Sequence, residues 1–109
     1  MEDLNSLLKK EKLFLNSELT LTTLSDRMGI TSKQLSQVIN QVQQENYSQY
    51  ITRYRIGEAK RMLSSWEYEH YKIAAIAFES GFNSLSSFNA AFKKHTNTTA
   101  VKFRQMLLE

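Results

Sequence analysis

Apolar residues recur along this chain every three or four positions, and the stripe is interrupted at intervals that mark short helices rather than strands. Leu4, Leu7 and Leu8 form one face and Leu13-Phe14-Leu15 follow it, so a first helix is predicted over roughly residues 2–12. Thr20 stands where a cap belongs, ahead of Leu21, Leu24 and Met28, and Gly29 tolerates the left-handed conformation that ends a helix in a tight turn. Thr31-Ser32-Lys33-Gln34 then reads as a capping box, opening a third helix that buries Leu35, Val38 and Ile39 and turns Lys33, Ser36, Gln37 and Asn40 outward. Asn46-Tyr47-Ser48-Gln49 repeats the box, and Tyr47, Tyr50, Ile51, Tyr54, Met62 and Leu63 sustain a stripe to about residue 64. This is the longest predicted helix, about 26 Å, with Gly57 a tolerated cost near its middle.

After a loop over residues 65–70, Ile73, Ile76 and Ala77 predict a fifth helix that stops before Gly81. Asn83 or Ser84 caps a sixth, which buries Phe88, Ala91 and Phe92 and points Ser86, Asn89, Ala90 and Lys93 outward, with Leu85 near the exposed first turn. A seventh, capped by Thr99, is expected to bury Val101 or Phe103 together with Met106 and Leu107. The fold class is all-α with seven helices.

The pattern repeats. Placing Gly29 on Gly81 superposes Leu21 on Ile73, Leu24 on Ile76 and Ile30 on Phe82; one residue is then inserted, and Leu35 falls on Phe88 and Ile39 on Phe92. Each half reads short helix, glycine turn, second helix, the helix-turn-helix unit in which the first helix braces the second so that it can lie in a major groove. Apolar positions hold the angle, and bases are read by the outward side chains of the second helix. One such pattern is a weak signal; two in register, joined by one long helix, are a strong one. The expected organisation is a first unit over about residues 13–46, a linking helix over 47–64, and a second unit with the C-terminal helix over 71–109.

Composition narrows the chemistry further. The absence of cysteine excludes disulfides, thiolate metal sites and thiol nucleophiles. His70 and His95 lack an acidic ligand cluster, and Ser36, Ser84 and Ser86 have no assignable base and orienting acid, so neither a metal, a cofactor nor an enzyme activity is expected. The net charge of +3 is modest but uneven, with 5 basic and 6 acidic residues in 1–46 against 9 and 5 in 47–109. No apolar run approaches the roughly 20 residues of a membrane span, and the acidic start Met1-Glu2-Asp3 is unlike a secretory signal, so a cytoplasmic setting is expected. Tyr47, Tyr50, Tyr54, Trp66 and Tyr71 could stack single-stranded bases, but three of them share the central stripe with Ile51 and Met62, and core packing is the expected role.

From about Leu13 to Arg104 the sequence resembles the DNA-binding domain of the AraC/XylS family. The resemblance is carried by Leu21 to Ile30 (LTTLSDRMGI), by Tyr50-Ile51 with Arg53 to Arg61 (RYRIGEAKR), and by IAAIAFESGFNSLSSFNAAFKKHTNTT, in which Gly81-Phe82-Asn83-Ser84 leads to Phe88 and Ala91-Phe92-Lys93-Lys94. It implies two recognition helices entering successive major-groove segments on one face of double-stranded DNA. Carried over by position, base contacts fall to Lys33, Ser36, Gln37 and Asn40 in the first unit and to Leu85, Ser86, Asn89 and Ala90 in the second, with phosphate contacts from Gln34, Lys93 and Lys94. RNA polymerase and a separate sensor or dimerisation domain are the further partners it implies, the chain being either the C-terminal part of a longer regulator or a short stand-alone member.

Departures from the family pattern change the expected chemistry. Gln37 and Ala90 stand where members often carry arginine, which shifts base reading away from guanine and toward adenine and thymine. Lys72 replaces a capping Ser or Thr, Asn97-Thr98-Thr99-Ala100 replaces Gly-x-Thr-Pro, and Lys102 opposes the dipole of the last helix. A second reading, a helical protein-interaction module with weak or no DNA binding, remains open on the low charge alone.

Overall fold

A computed structural model describes residues 2–108, and within them every regular element is helical. Helix α1 spans Glu2–Glu11, α2 Leu21–Met28, α3 Ser32–Gln43, α4 Tyr47–Leu63, α5 Ile73–Glu79, α6 Leu85–Thr96 and α7 Ala100–Leu108. Two 3-10 turns complete the chain, Leu13–Leu15 and Trp66–Tyr68, the second lying inside the stretch expected to be a plain loop. The molecule is elongated, 45 × 24 × 23 Å, along a direction set by two separate cores at the two ends of α4.

The local chemistry matches the expected boundaries closely. The Thr20 hydroxyl accepts from the Thr23 amide and caps α2. Thr31 and Gln34 close a reciprocal box at α3, and Asn46 and Gln49 close another at α4, so each of these helices has its first orphan amides satisfied from both sides. Of the two residues weighed for α6, Ser84 is the cap, accepting from the Ser87 amide at 3.1 Å. Lys72 gives α5 no side-chain cap, as its chemistry requires.

One core gathers Leu4, Leu8, Phe14, Leu24, Leu35, Ile39, Tyr50 and Ile51, and the other Ile56, Ala59, Met62, Leu63, Ile76, Ala77, Phe82, Phe88, Phe92 and Ala100. Helix α4 supplies both, which makes it a shared wall rather than a spacer. Tyr50 and Tyr54 direct their hydroxyls to the Asn5 side-chain oxygen, and Tyr47 donates to the Leu19 carbonyl at 3.1 Å. Tyr50 is fully buried and Tyr47 and Tyr54 pack against this core, so these rings are not offered for stacking, and the same burial pushes the Tyr47 and Tyr50 hydroxyls above the ordinary tyrosine range.

Two expectations need correction. Trp66 is 64% exposed and Tyr71 41%, so these two aromatics do not join the core. In α7, Met106 is 72% exposed and Leu107 50%, while Ala100 is buried and Phe103 packs edge-on against Phe92 at 5.3 Å. The reason lies in a repeat longer than the sequence pattern suggested. Asn46 and Thr99 cap α4 and α7 at equivalent positions, fifty-three residues apart, so α7 is the second unit's counterpart of α4. At that offset Met106 falls on Arg53, itself exposed on α4, and Leu107 on Tyr54, which is covered by Phe14 of the first unit.

Candidate nucleic-acid interface

The two turns are built from the same backbone bonds. Gly29 donates to the Asp26 carbonyl and Ile30 to Ser25, each at 3.1 Å; fifty-two residues later Gly81 donates to Phe78 at 3.1 Å and Phe82 to Ala77 at 3.0 Å. Both glycines have positive φ, 72° and 104°, which explains why these positions carry no side chain. Both second helices also end on a left-handed residue, Gln44 and Asn97. Sequence duplication has therefore produced backbone duplication.

The outward faces that follow from this match residue for residue. Lys33, Ser36, Gln37 and Asn40 of α3 are all exposed, as are Ser86, Asn89, Ala90 and Lys93 at the equivalent positions of α6. Gln34 and Leu85 lie exposed in the first turns of their helices, Leu85 at 39%. Each helix therefore presents one continuous face, with Leu35 and Ile39, or Phe88 and Phe92, buried behind it. Lys94 is exposed but sits apart, lining with His95 a crevice of about 230 Å³ against Gln44 and Glu45 of the first unit and Gln49 of α4. Asn89 and Lys93 border a hollow of about 360 Å³ closed by Ile73 and the start of α7.

Charge is divided between the two kinds of cation. All five arginines are engaged within the fold: Arg27 with Glu11, Arg53 with Glu45, Arg61 with Glu58, Arg104 with the Tyr71 carbonyl and Arg55 with the carbonyls of Phe14 and Asn16. The Glu58 carboxylate raises Arg61 above its ordinary value, Glu45 raises Arg53, and burial lowers Arg55. By contrast Lys33 and Lys93, on the two outward faces, have no carboxylate in ion-pair contact among the described residues. The lysines of the two outward faces are open to solvent, while the planar arginine forks bind partners within the fold.

Two features were not read from the sequence. Gln41, exposed at the rim of the α3 face, occupies the position equivalent to Lys94 and was legible from the repeat had it been extended one turn. Ser25, which is buried, donates to the Thr22 carbonyl at 2.8 Å and lies 3.2 Å from the Ser32 hydroxyl, tying α2 to the first residue of α3. A polar residue at a core position of the repeat was the available signal. Among the described residues no group of three or more His, Cys, Asp or Glu is placed to hold a metal, and no helix is long and apolar enough to cross a membrane.

Comparison with known proteins places this geometry. Residues 24–106 match the model of a helix-turn-helix domain. Over 103 residues the chain is 29% identical to the probable transcription factor PqrA of Proteus vulgaris, covering 93% of this chain and 82% of that protein. Among solved structures it superposes with a TM-score of 0.79 and 25% identity on the C-terminal domain of the two-component response regulator yesN from Fusobacterium nucleatum, covering 94% and 95% of the two chains. An AraC-type regulator from Chromobacterium violaceum superposes with a TM-score of 0.80 over 99% and 96% of the chains, a likeness of fold at 21% identity.

Proposed function

The chain belongs to the helix-turn-helix domain family in its AraC-type form, a family of DNA-binding transcription regulators, and from that premise we propose how it meets its target. Helices α3 and α6 enter successive major-groove segments on one side of a duplex. The observation that carries this is the pair of matched outward faces, equivalent position by position and backed by cores that share α4. In the first face Lys33, Ser36, Gln37 and Asn40 reach base edges. In the second the readers are Leu85, Ser86, Asn89 and Ala90, where Ala90 and Leu85 suit a thymine methyl and Asn89 an adenine. Gln34 and Lys93 meet phosphates, and Lys94 does so from the edge of its crevice.

With every arginine engaged within the fold, phosphate attraction rests on a few lysines, each expected to contribute about 0.9 to the slope of log affinity against log salt. RNA polymerase and a sensor or dimerisation domain are the further partners of this reading; the yesN neighbour is itself the C-terminal domain of a two-component response regulator. A cytoplasmic setting follows from a chromosomal target. The test is in vitro selection of duplexes from a random pool. Enrichment of two motifs about one helical turn apart supports the reading; no enrichment, with a partner protein covering the exposed apolar residues of α7, would replace it with an interaction module.

A further inference from the structure

A close contact joins the two units. There the Phe14 carbonyl of the first unit, the Arg55 guanidinium of the linking helix and the Gly81 backbone of the second unit's turn converge. Arg55 Nε donates to the Phe14 oxygen at 2.7 Å and Nη2 to the Asn16 oxygen at 3.0 Å. Gly81 is buried against them so closely that a Cβ there would stand 2.3 Å from the Phe14 oxygen and 2.8 Å from Arg55 Nε. Gly29, the equivalent glycine of the first unit, has nothing within 4 Å of such a Cβ. The close approach is thus no requirement of a helix-turn-helix turn. It belongs to the junction.

Resting on the two-groove reading above, we propose that Arg55 is a positioning residue that sets the angle between the two recognition helices, and through it the spacing of motifs the protein accepts. Its planar fork spans two carbonyls of the first unit while its aliphatic stem forms the seat on which the second unit's turn rests, the Cδ lying 3.2 Å from the would-be Cβ of Gly81. A lysine offers a single point of charge and fixes no plane. Arg55 touches neither outward face, so its effect on DNA is confined to geometry. Changing the motif spacing by one base pair rotates one groove relative to the other by about 34°, and a protein with a fixed angle must discriminate against that rotation.

The experiment compares wild type, Arg55→Lys and Arg55→Met on duplexes carrying one motif, or two motifs at the selected spacing and at one base pair more or less. Circular dichroism verifies the fold. Expected are single-motif affinities within about twofold of wild type, a loss of about tenfold at the selected two-motif site and a flattened spacing preference. Because the chain has no cysteine, spin labels at Gln41→Cys and Ala90→Cys report the distance between α3 and α6 directly, and its distribution should broaden in both Arg55 variants. An unchanged spacing preference with an unchanged distribution overturns the proposal. Unfolding of both variants also overturns it, since Arg55 would then hold the fold rather than the angle. Absence of any two-motif preference in the wild type would instead overturn the two-groove reading itself.

Discussion

The first and second helix-turn-helix units share a backbone and differ in what closes it. In the first, the turn glycine is exposed and unconstrained by neighbours, and polar bonds do the closing: the Thr20 cap, the Thr31–Gln34 box and the buried Ser25 beside Ser32. In the second, the uncapped α5 begins at Lys72, α6 has a single serine cap, and closure is apolar and aromatic, with Phe82, Phe88, Phe92 and Phe103 stacked edge to face or tilted at 5.3 to 5.5 Å. Ser25 and Ala77 occupy equivalent core positions and summarise the difference. The first unit adds reciprocal caps and a buried serine to its apolar core and the second adds a run of packed phenylalanines, so the units should respond differently to the same kind of substitution.

The sharpest contrast is expected at the turns. Gly81→Ala places a methyl group against a carbonyl and a guanidinium at a φ of 104°, and should cost about 3 kcal/mol or more in urea denaturation. Gly29→Ala meets only the strain of its own φ and should cost about 1 kcal/mol. Equal losses at the two glycines would mean that the junction is loose in solution.

The reading faces should break the symmetry next. Gln37 carries an amide able to pair with adenine, whereas its equivalent Ala90 carries only a methyl group. Gln37→Ala is expected to cost about 1–3 kcal/mol of discrimination at one position of one motif, measured by competition between single-base variants of the selected site. Lys93→Gln should weaken binding to all sequences alike and lower the slope of log affinity against log salt by about 0.9. If Gln37→Ala weakened every sequence equally, Gln37 would be a phosphate contact and the comparison of the two faces would need redrawing.

How much of this was legible beforehand follows the same division. Periodicity and caps are local signals, so the seven helices, the Gly29 and Gly81 turns and both outward faces could be read from residue spacing. What escaped depends on contacts distant in sequence. Arg55 lies on a stretch that reads as an ordinary charged helix surface, yet its partners Phe14 and Asn16 are some forty residues away. Met106 and Leu107 have the right spacing to be buried, but periodicity says which residues share a face and not whether anything covers it. Trp66 and Tyr71 share no apolar stripe with a helix, and residue type alone does not decide burial.

A smaller effect would test whether the second unit can be given the first unit's kind of closure. Lys72 holds an extended conformation, φ −66° and ψ 151°, suitable for a cap, but its ammonium can neither accept from the first amides nor favour the positive end of the helix. Lys72→Ser should therefore stabilise the protein by about 0.5–1 kcal/mol. No gain would show that α5 is held entirely by Ile76 and Ala77.

The smallest predicted effect concerns the wall both units share. Glu58 on α4 accepts from Arg61 Nη2 at 2.6 Å and lies 3.6 Å from the Lys12 ammonium, which stands where the chain leaves α1. The Arg61 hydrogen bond, with the nearby charges of Arg61 and Lys12, holds the Glu58 carboxyl below the usual carboxylate range against the opposing effect of burial. A depressed folded-state pKa means that the unfolded chain takes up a proton first as pH falls. The contribution is therefore complete above the usual carboxylate pKa and is lost as pH drops through that value and the lower folded one. Both cationic partners are about half exposed, so the pair is worth about 0.5 kcal/mol. Denaturation from pH 7 to pH 3 should show wild type losing slightly more stability than Glu58→Gln. Parallel curves would mean that the charges of Lys12, Glu58 and Arg61 add nothing measurable, and that α1 is tied to α4 by the packing of Leu4 and Leu8 and by the Asn5 hydrogen bonds of Tyr50 and Tyr54.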